Sequence, residues 1–143
     1  MYLLDTNVVS ELRKVRSGKA DRNVAAWVAS VPQVSLFLSA ITVQELEIGV
    51  LLAGRRDRSQ GALLRDWLDG HVLPVFADRI LPVDPAVARR SAALRVPDPR
   101  PVRDALIAAT ALVHSMTVVT RNTVDFTSTG AAILNPWAAP PSP

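Results

Sequence analysis

The sequence predicts an α/β fold: a three-layer α/β/α sandwich around a central, mostly parallel sheet. Two observations carry this. Apolar runs of three to five residues, each of strand length, alternate with longer segments whose apolar residues recur every three or four positions. Strands alternating with helices imply a parallel sheet with helices on both faces. A third observation points to a site. The first run, Tyr2 to Leu4, stops abruptly at Asp5, Thr6 and Asn7, and ligands of open parallel sheets bind at the carboxyl ends of the strands.

Taken in order, Val8, Val9, Leu12 and Val15 predict a short helix entered through Thr6 or Asn7 as a cap. Asp21 can cap a second helix carrying Val24, Trp27, Val28 and Val31, with Pro32 ending it. Val34 to Leu38 reads as a strand. Ser39 to Thr42 then turns into a third helix with Val43, Leu46, Val50 and Leu51 on its apolar side. Arg55 to Arg58 is a charged break. Helical segments follow with Leu63, Leu64, Trp67 and Leu68, then Val72 to Phe76. Ile80 to Val83 reads as a strand, and Asp84-Pro85 opens a helix by a cap followed by proline. Pro97 to Pro101 is a rigid loop leading to Val102–Ser115, apolar on nearly every face from Ala105 to Val113 and so expected to be buried. Thr117 to Thr120 and Ala132 to Leu134 are the last strands. A single domain over 1–137 is expected, with a loose proline-rich tail at 138–143.

Composition narrows the classes. The 143 residues suit one domain with a real core, and the absence of cysteine excludes disulfides, thiolate metal sites and cysteine nucleophiles. The opening lacks the basic and apolar regions of a signal peptide, and the longest apolar run is far below the roughly 18 residues of a membrane span. A cytoplasmic protein without membrane partners is expected. The net charge of +3, with only Lys14 and Lys19 as lysines among sixteen basic residues, is a mild push towards polyanions.

In a parallel α/β sheet the helices begin where the strands end, which turns positions into geometry. Asp5 ends the first strand. Glu45 falls in the first turn of the helix after the second strand, Asp104 in the first turn of the alanine-rich helix, and Asp125 in the loop after Thr120. All four are expected at one edge. Each also has a plainer reading. Thr42-Val-Gln-Glu45 fits a capping box, Asp104 could complement a helix dipole, Asp5 could be an N-cap, and Asp125 could be a solvated loop residue. Clustered carboxylates repel, and Mg²⁺ or Mn²⁺ relieves this because hard cations take oxygen ligands. Such ions also activate water and stabilise the oxygens of a reacting phosphodiester. Acids beneath a basic rim make a nuclease layout.

Leu4-Asp-Thr-Asn-Val-Val-Ser-Glu11, Thr42-Val-Gln-Glu-Leu-Glu-Ile-Gly49, Arg103-Asp-Ala-Leu-Ile-Ala-Ala-Thr-Ala111 and Thr120-Arg-Asn-Thr-Val-Asp-Phe126 resemble, in order, the acidic motifs of PIN domains. The closing Leu134-Asn-Pro-Trp137 resembles the end of the FitB-like, VapC-type toxin branch. The resemblance runs from Met1 to about Trp137. It implies an α/β/α nuclease that cleaves RNA with Mg²⁺ or Mn²⁺, forms a homodimer, and is held inactive by a small VapB-type antitoxin. By the same resemblance Asp5, Glu45, Asp104 and Asp125 would be the metal-binding catalytic quartet. Thr6, Asn7, Thr120 and Asn122 would support the ligands or contact phosphate.

Other residues have weaker claims. Glu47 is expected to be solvated or paired, and Glu11 to bridge to an arginine. His71 and His114 have no ligand-spaced partner, and Ser10 and Ser39 no histidine for a triad. Trp27 and Trp67 read as core or subunit interface. Arg13, Lys14, Arg16, Lys19, Arg55, Arg56 and Arg58 could form an RNA-contacting rim or ordinary solvated faces. One rival reading is a PIN-like module that binds nucleic acid or an antitoxin without cleaving. Another is an aspartyl-phosphate phosphatase, which wants a second acid two positions after the first; that position holds Asn7.

Overall fold

The structure, a computed structural model, describes residues 1–139. Five strands form its sheet: β1 (Tyr2–Leu4), β2 (Leu36–Ser39), β3 (Ile80–Leu81), β4 (Thr117–Val119) and β5 (Ala132–Leu134). Their order is β3-β2-β1-β4-β5, and every pairing is parallel. Seven helices surround it: α1 (Thr6–Leu12), α2 (Arg22–Ser30), α3 (Ala40–Arg56), α4 (Arg58–Trp67), the single turn α5 (Leu73–Val75), α6 (Pro85–Leu94) and α7 (Val102–His114). A π-type stretch, Leu68–Val72, joins α4 to α5.

Successive strand residues point to opposite faces, so each strand feeds two cores. Leu4, Leu36, Leu38 and Val119 pack with Val8, Leu46, Leu68 and Phe76, on the side of α1 to α5. Leu3 and Val118 pack with Ile107, Ala108 and Ala111 of α7 and with Met116 and Phe126. The alanines of α7 that face the sheet are completely buried, which lets the helix lie close to it. This is the expected three-layer α/β/α sandwich.

Several boundaries differ from the sequence reading. Helix α1 is capped by Asp5 rather than by Thr6 or Asn7, and it ends at Leu12, leaving Val15 exposed. A short 3₁₀ turn, Gln33–Ser35, replaces the start of the expected second strand and leaves Val34 in solvent. Strand β3 is two residues long, not four. Leu51 and Leu63, expected on inner faces, are exposed, because helical spacing alone does not fix which stripe turns inward. Of the expected tail, residues 140–143 lie outside the described residues. Trp137 ahead of it is tied down, accepting from Asn23 Nδ2 at 2.8 Å and donating its amide to Asn135 Oδ1 at 2.9 Å.

Candidate active site

The strand order reverses between β1 and β4, the switch point where the crevice of an open α/β sheet lies. Asp5 follows β1 and Thr120 follows β4 at that point. The Asp5 amide donates to Val119 O at 2.9 Å, holding it at the end of the sheet. Its carboxylate is fully buried, accepting from the Thr6 amide at 2.8 Å, Thr120 Oγ1 at 2.8 Å and, more weakly, Asn7 Nδ2 at 3.5 Å. Asp5 is the N-cap of α1, and that role leaves its second carboxylate oxygen turned to Thr120 and Asn7 at the switch point. Thr120 is a bridge, since its hydroxyl also accepts from the Asn122 amide at 3.0 Å. Asn7 reaches the same loop, accepting from the Arg121 amide at 3.4 Å.

Glu45 is placed differently from the sequence reading. Ser39 caps α3, accepting from the Ile41 amide at 3.0 Å, so the helix starts at Ala40, ahead of the start a Thr42 cap would give, and Glu45 lies in its second turn. The capping-box reading fails with it. The Thr42 hydroxyl is buried and without a hydrogen-bond partner among the described residues, capping nothing. Glu45 instead accepts from Thr6 Oγ1 at 2.5 Å, which ties α3 to the start of α1. The same Ser39 bond accounts for that serine without a catalytic role.

Asp104 lies in the first turn of α7, as expected, and is nearly buried. Burial raises its pKa, the Arg103 guanidinium partly opposes this, and the charges of Asp125 and Asp5 add to the rise. Asp125 ends a 3₁₀ turn, Thr123–Asp125, and is exposed. It stands close enough to Asp104 to be felt electrostatically but does not join the hydrogen-bonded group.

That group is held by Arg103, which the sequence reading had not singled out. Its Nε donates to Glu45, and its two terminal nitrogens donate to Asp5 and to Asp104 Oδ1, the last at 2.6 Å. Burial lowers the Arg103 pKa, but the hydrogen bond it donates to Glu45 and the charges of Asp5 and Glu45 outweigh it and leave the pKa raised. A cation in the first turn of a helix opposes the helix dipole, so acids around it supply the reason for its position. That conflict was the one available signal.

Most of the basic residues proposed as a rim lie elsewhere. Arg55 and Arg56 end α3, about 15 Å of helix beyond Glu45. Arg13 lies over the ring of Trp67. Arg121 does stand at this edge, its guanidinium 5.2 Å from the ring centre of Trp137. Glu47 pairs with Arg65, and Glu11 pairs with Lys14 rather than an arginine.

The acidic side chains here offer only carboxylate oxygen, the donor set preferred by Mg²⁺ or Mn²⁺. Three of them already share one cation, the guanidinium. Spread around that wider group, no three acidic or histidine side chains among the described residues stand at the spacing of a metal shell. The chemistry of the donors fits a divalent ion, and their present spacing is that of an arginine.

Comparison with known proteins identifies the family. The chain is 42% identical to Toxin FitB of Neisseria gonorrhoeae over 144 residues, covering 96% of this chain and 99% of that protein. It is 40% identical to VapC ribonuclease Y4jK of Sinorhizobium fredii, covering 96% and 98%. The crystal structure of FitAcB from Neisseria gonorrhoeae superposes with a TM-score of 0.87 at 40% identity, covering 97% of this chain and all of that one. The profile described as PIN domain matches residues 2–131, and the chain belongs to the PIN domain family.

Proposed function

We infer that this chain is a metal-dependent endoribonuclease acting as the toxin of a toxin–antitoxin pair. One observation carries the reading. Three carboxylates from elements far apart in sequence, Asp5, Glu45 and Asp104, turn onto a single cation at the switch point of the sheet. Gathering like charges in a partly buried place is costly, and neither strand pairing nor core packing requires it.

Asp5, Glu45, Asp104 and Asp125 would hold Mg²⁺ or Mn²⁺, which when bound supplies Lewis-acid activation of water and neutralises charge on the phosphodiester. The chain's own residues do the orienting. Thr120 and the Thr6 amide fix the Asp5 carboxylate, and the Thr6 hydroxyl fixes Glu45. Asn7 and Arg121, on the exposed side, suit contact with RNA phosphates on either side of the cut. The names Toxin FitB and VapC ribonuclease of the relatives support both halves of the reading.

For the antitoxin, an open apolar groove lined by Leu12, Val28, Val31, Trp67 and Val72, with Arg13 at its rim, suits an amphipathic segment of a VapB-type partner. For the homodimer, Ile48, Leu51 and Leu52 of α3 and Leu63 of α4 supply exposed apolar surface.

The test is cleavage of a mixed structured RNA pool by purified, antitoxin-free protein in EDTA, Mg²⁺ or Mn²⁺. Cuts should require metal and fall at least about 100-fold in Asp104→Asn. No cutting in either metal would transfer the reading to a binding module without cleavage. Cuts unchanged in Asp104→Asn would sink the assignment of the acids.

A further inference from the structure

We propose that Arg103 is a built-in counter-cation, which occupies the place between Asp5, Glu45 and Asp104 in the metal-free protein and must swing out before a divalent ion enters. The inference rests on the metal-site reading above. Its own support is the way the guanidinium is used. Arginine ordinarily meets one carboxylate with two parallel bonds. Here its donors are divided among three carboxylates on three different elements, one bond to each. That is how a central ion is coordinated, not how a surface pair is made.

The layering fits a removable plug. The Asp5 side chain is fully buried and that of Asp104 is 10% exposed, while the Arg103 side chain is 31% exposed. Asp5 and Asp104 form the floor, and the arginine closes the mouth beside Glu45, whose side chain is 27% exposed. Its backbone lies in the first turn of α7, directly after the exposed loop Pro97–Pro101. Solvent is therefore available to receive the side chain when it leaves. In this position the arginine offsets the mutual repulsion of the acids and so supports the fold without a divalent ion. A ligand that binds only the open arrangement has its apparent affinity reduced by the fraction of molecules that are open. Arg103 should accordingly weaken metal binding while protecting the metal-free fold.

Calorimetric titration with Mn²⁺ and thermal melting in EDTA, on wild type, Arg103→Gln and Arg103→Lys, test this. In both variants Mn²⁺ should bind about tenfold tighter or more, and the metal-free melting temperature should fall. Lysine keeps the charge but cannot serve three carboxylates with a planar fork, so its effect separates occupancy from charge. If Arg103→Gln binds Mn²⁺ no more tightly than wild type, the plug is refuted while the metal site stands. If Arg103→Lys behaves as wild type, the arginine acts through net charge alone and the plug is again refuted. If no form binds Mn²⁺, the metal-site reading falls and the plug with it. Circular dichroism of each variant shows that the comparison is between folded proteins.

Discussion

Glu11 accepts from the Asp21 amide at 3.0 Å and pairs with Lys14 at 3.1 Å, joining the end of α1 to the cap of α2. The amide bond chiefly, with help from Lys14, lowers its pKa against the opposing effect of burial. Because the folded value lies below the unfolded one, the stabilisation is complete above the ordinary value of 4.5 and is lost as pH falls through the folded value. Glu11→Gln should therefore cost about 1 kcal/mol at pH 7, and the gap to wild type in urea unfolding should close in acid. A gap independent of pH would show that the charge plays no part. That Asp5 and Asp104 share an edge could be read from the sequence, because one follows a strand and the other opens a helix, and topology sends such positions together. The partners of Arg103 could not, because they lie 58 and 98 residues away in the chain as well as beside it. Local patterning carries no information on those pairings.

The crossing of α3 and α4 turns on two glycines. A Cβ on Gly61 would lie 2.4 Å from the Gly54 Cα, whereas one on Gly54 would meet nothing nearer than 3.8 Å. Gly61→Ala must push the helices apart and should cost about 1–3 kcal/mol. Gly54→Ala should be neutral or stabilise by up to about 1 kcal/mol through helix propensity. Chemical denaturation of the two variants checks the asymmetry; equal effects would mean that the crossing tolerates separation. Helix starts were legible where a cap stands next to the first turn, as with Asp21 and Asp84, which accept from the amides expected of them. The start of α3 was misread because Ser39 and Thr42 are both acceptable caps. Only the end of β2 at Ser39 decides between them.

All three tryptophans, Trp27, Trp67 and Trp137, pack against the core on the α1–α5 side of the sheet. Their fluorescence therefore reports one layer, while far-ultraviolet circular dichroism also reports α6 and α7. Since every central strand contributes to both cores, the two signals should give one coincident unfolding transition. Separate midpoints would show that the α6–α7 layer comes away by itself. The layer architecture was legible from alternation of short apolar runs with helical spacing. The strand order was not, since nothing in a three-residue run identifies its neighbour. The exposed apolar side chains of α3 and α4 escaped notice for a related reason: a leucine at helical spacing looks the same whether it faces a core or a partner.

The borders of the sheet have a consequence of their own. They are formed by the two residues of β3 and the three of β5. Borders so short leave few free amides and carbonyls in an extended row, the template on which one chain adds to another. Growth of the folded protein into fibrils by edge-to-edge addition is starved of a starting point. Association between folded copies is left to the outer helical layers.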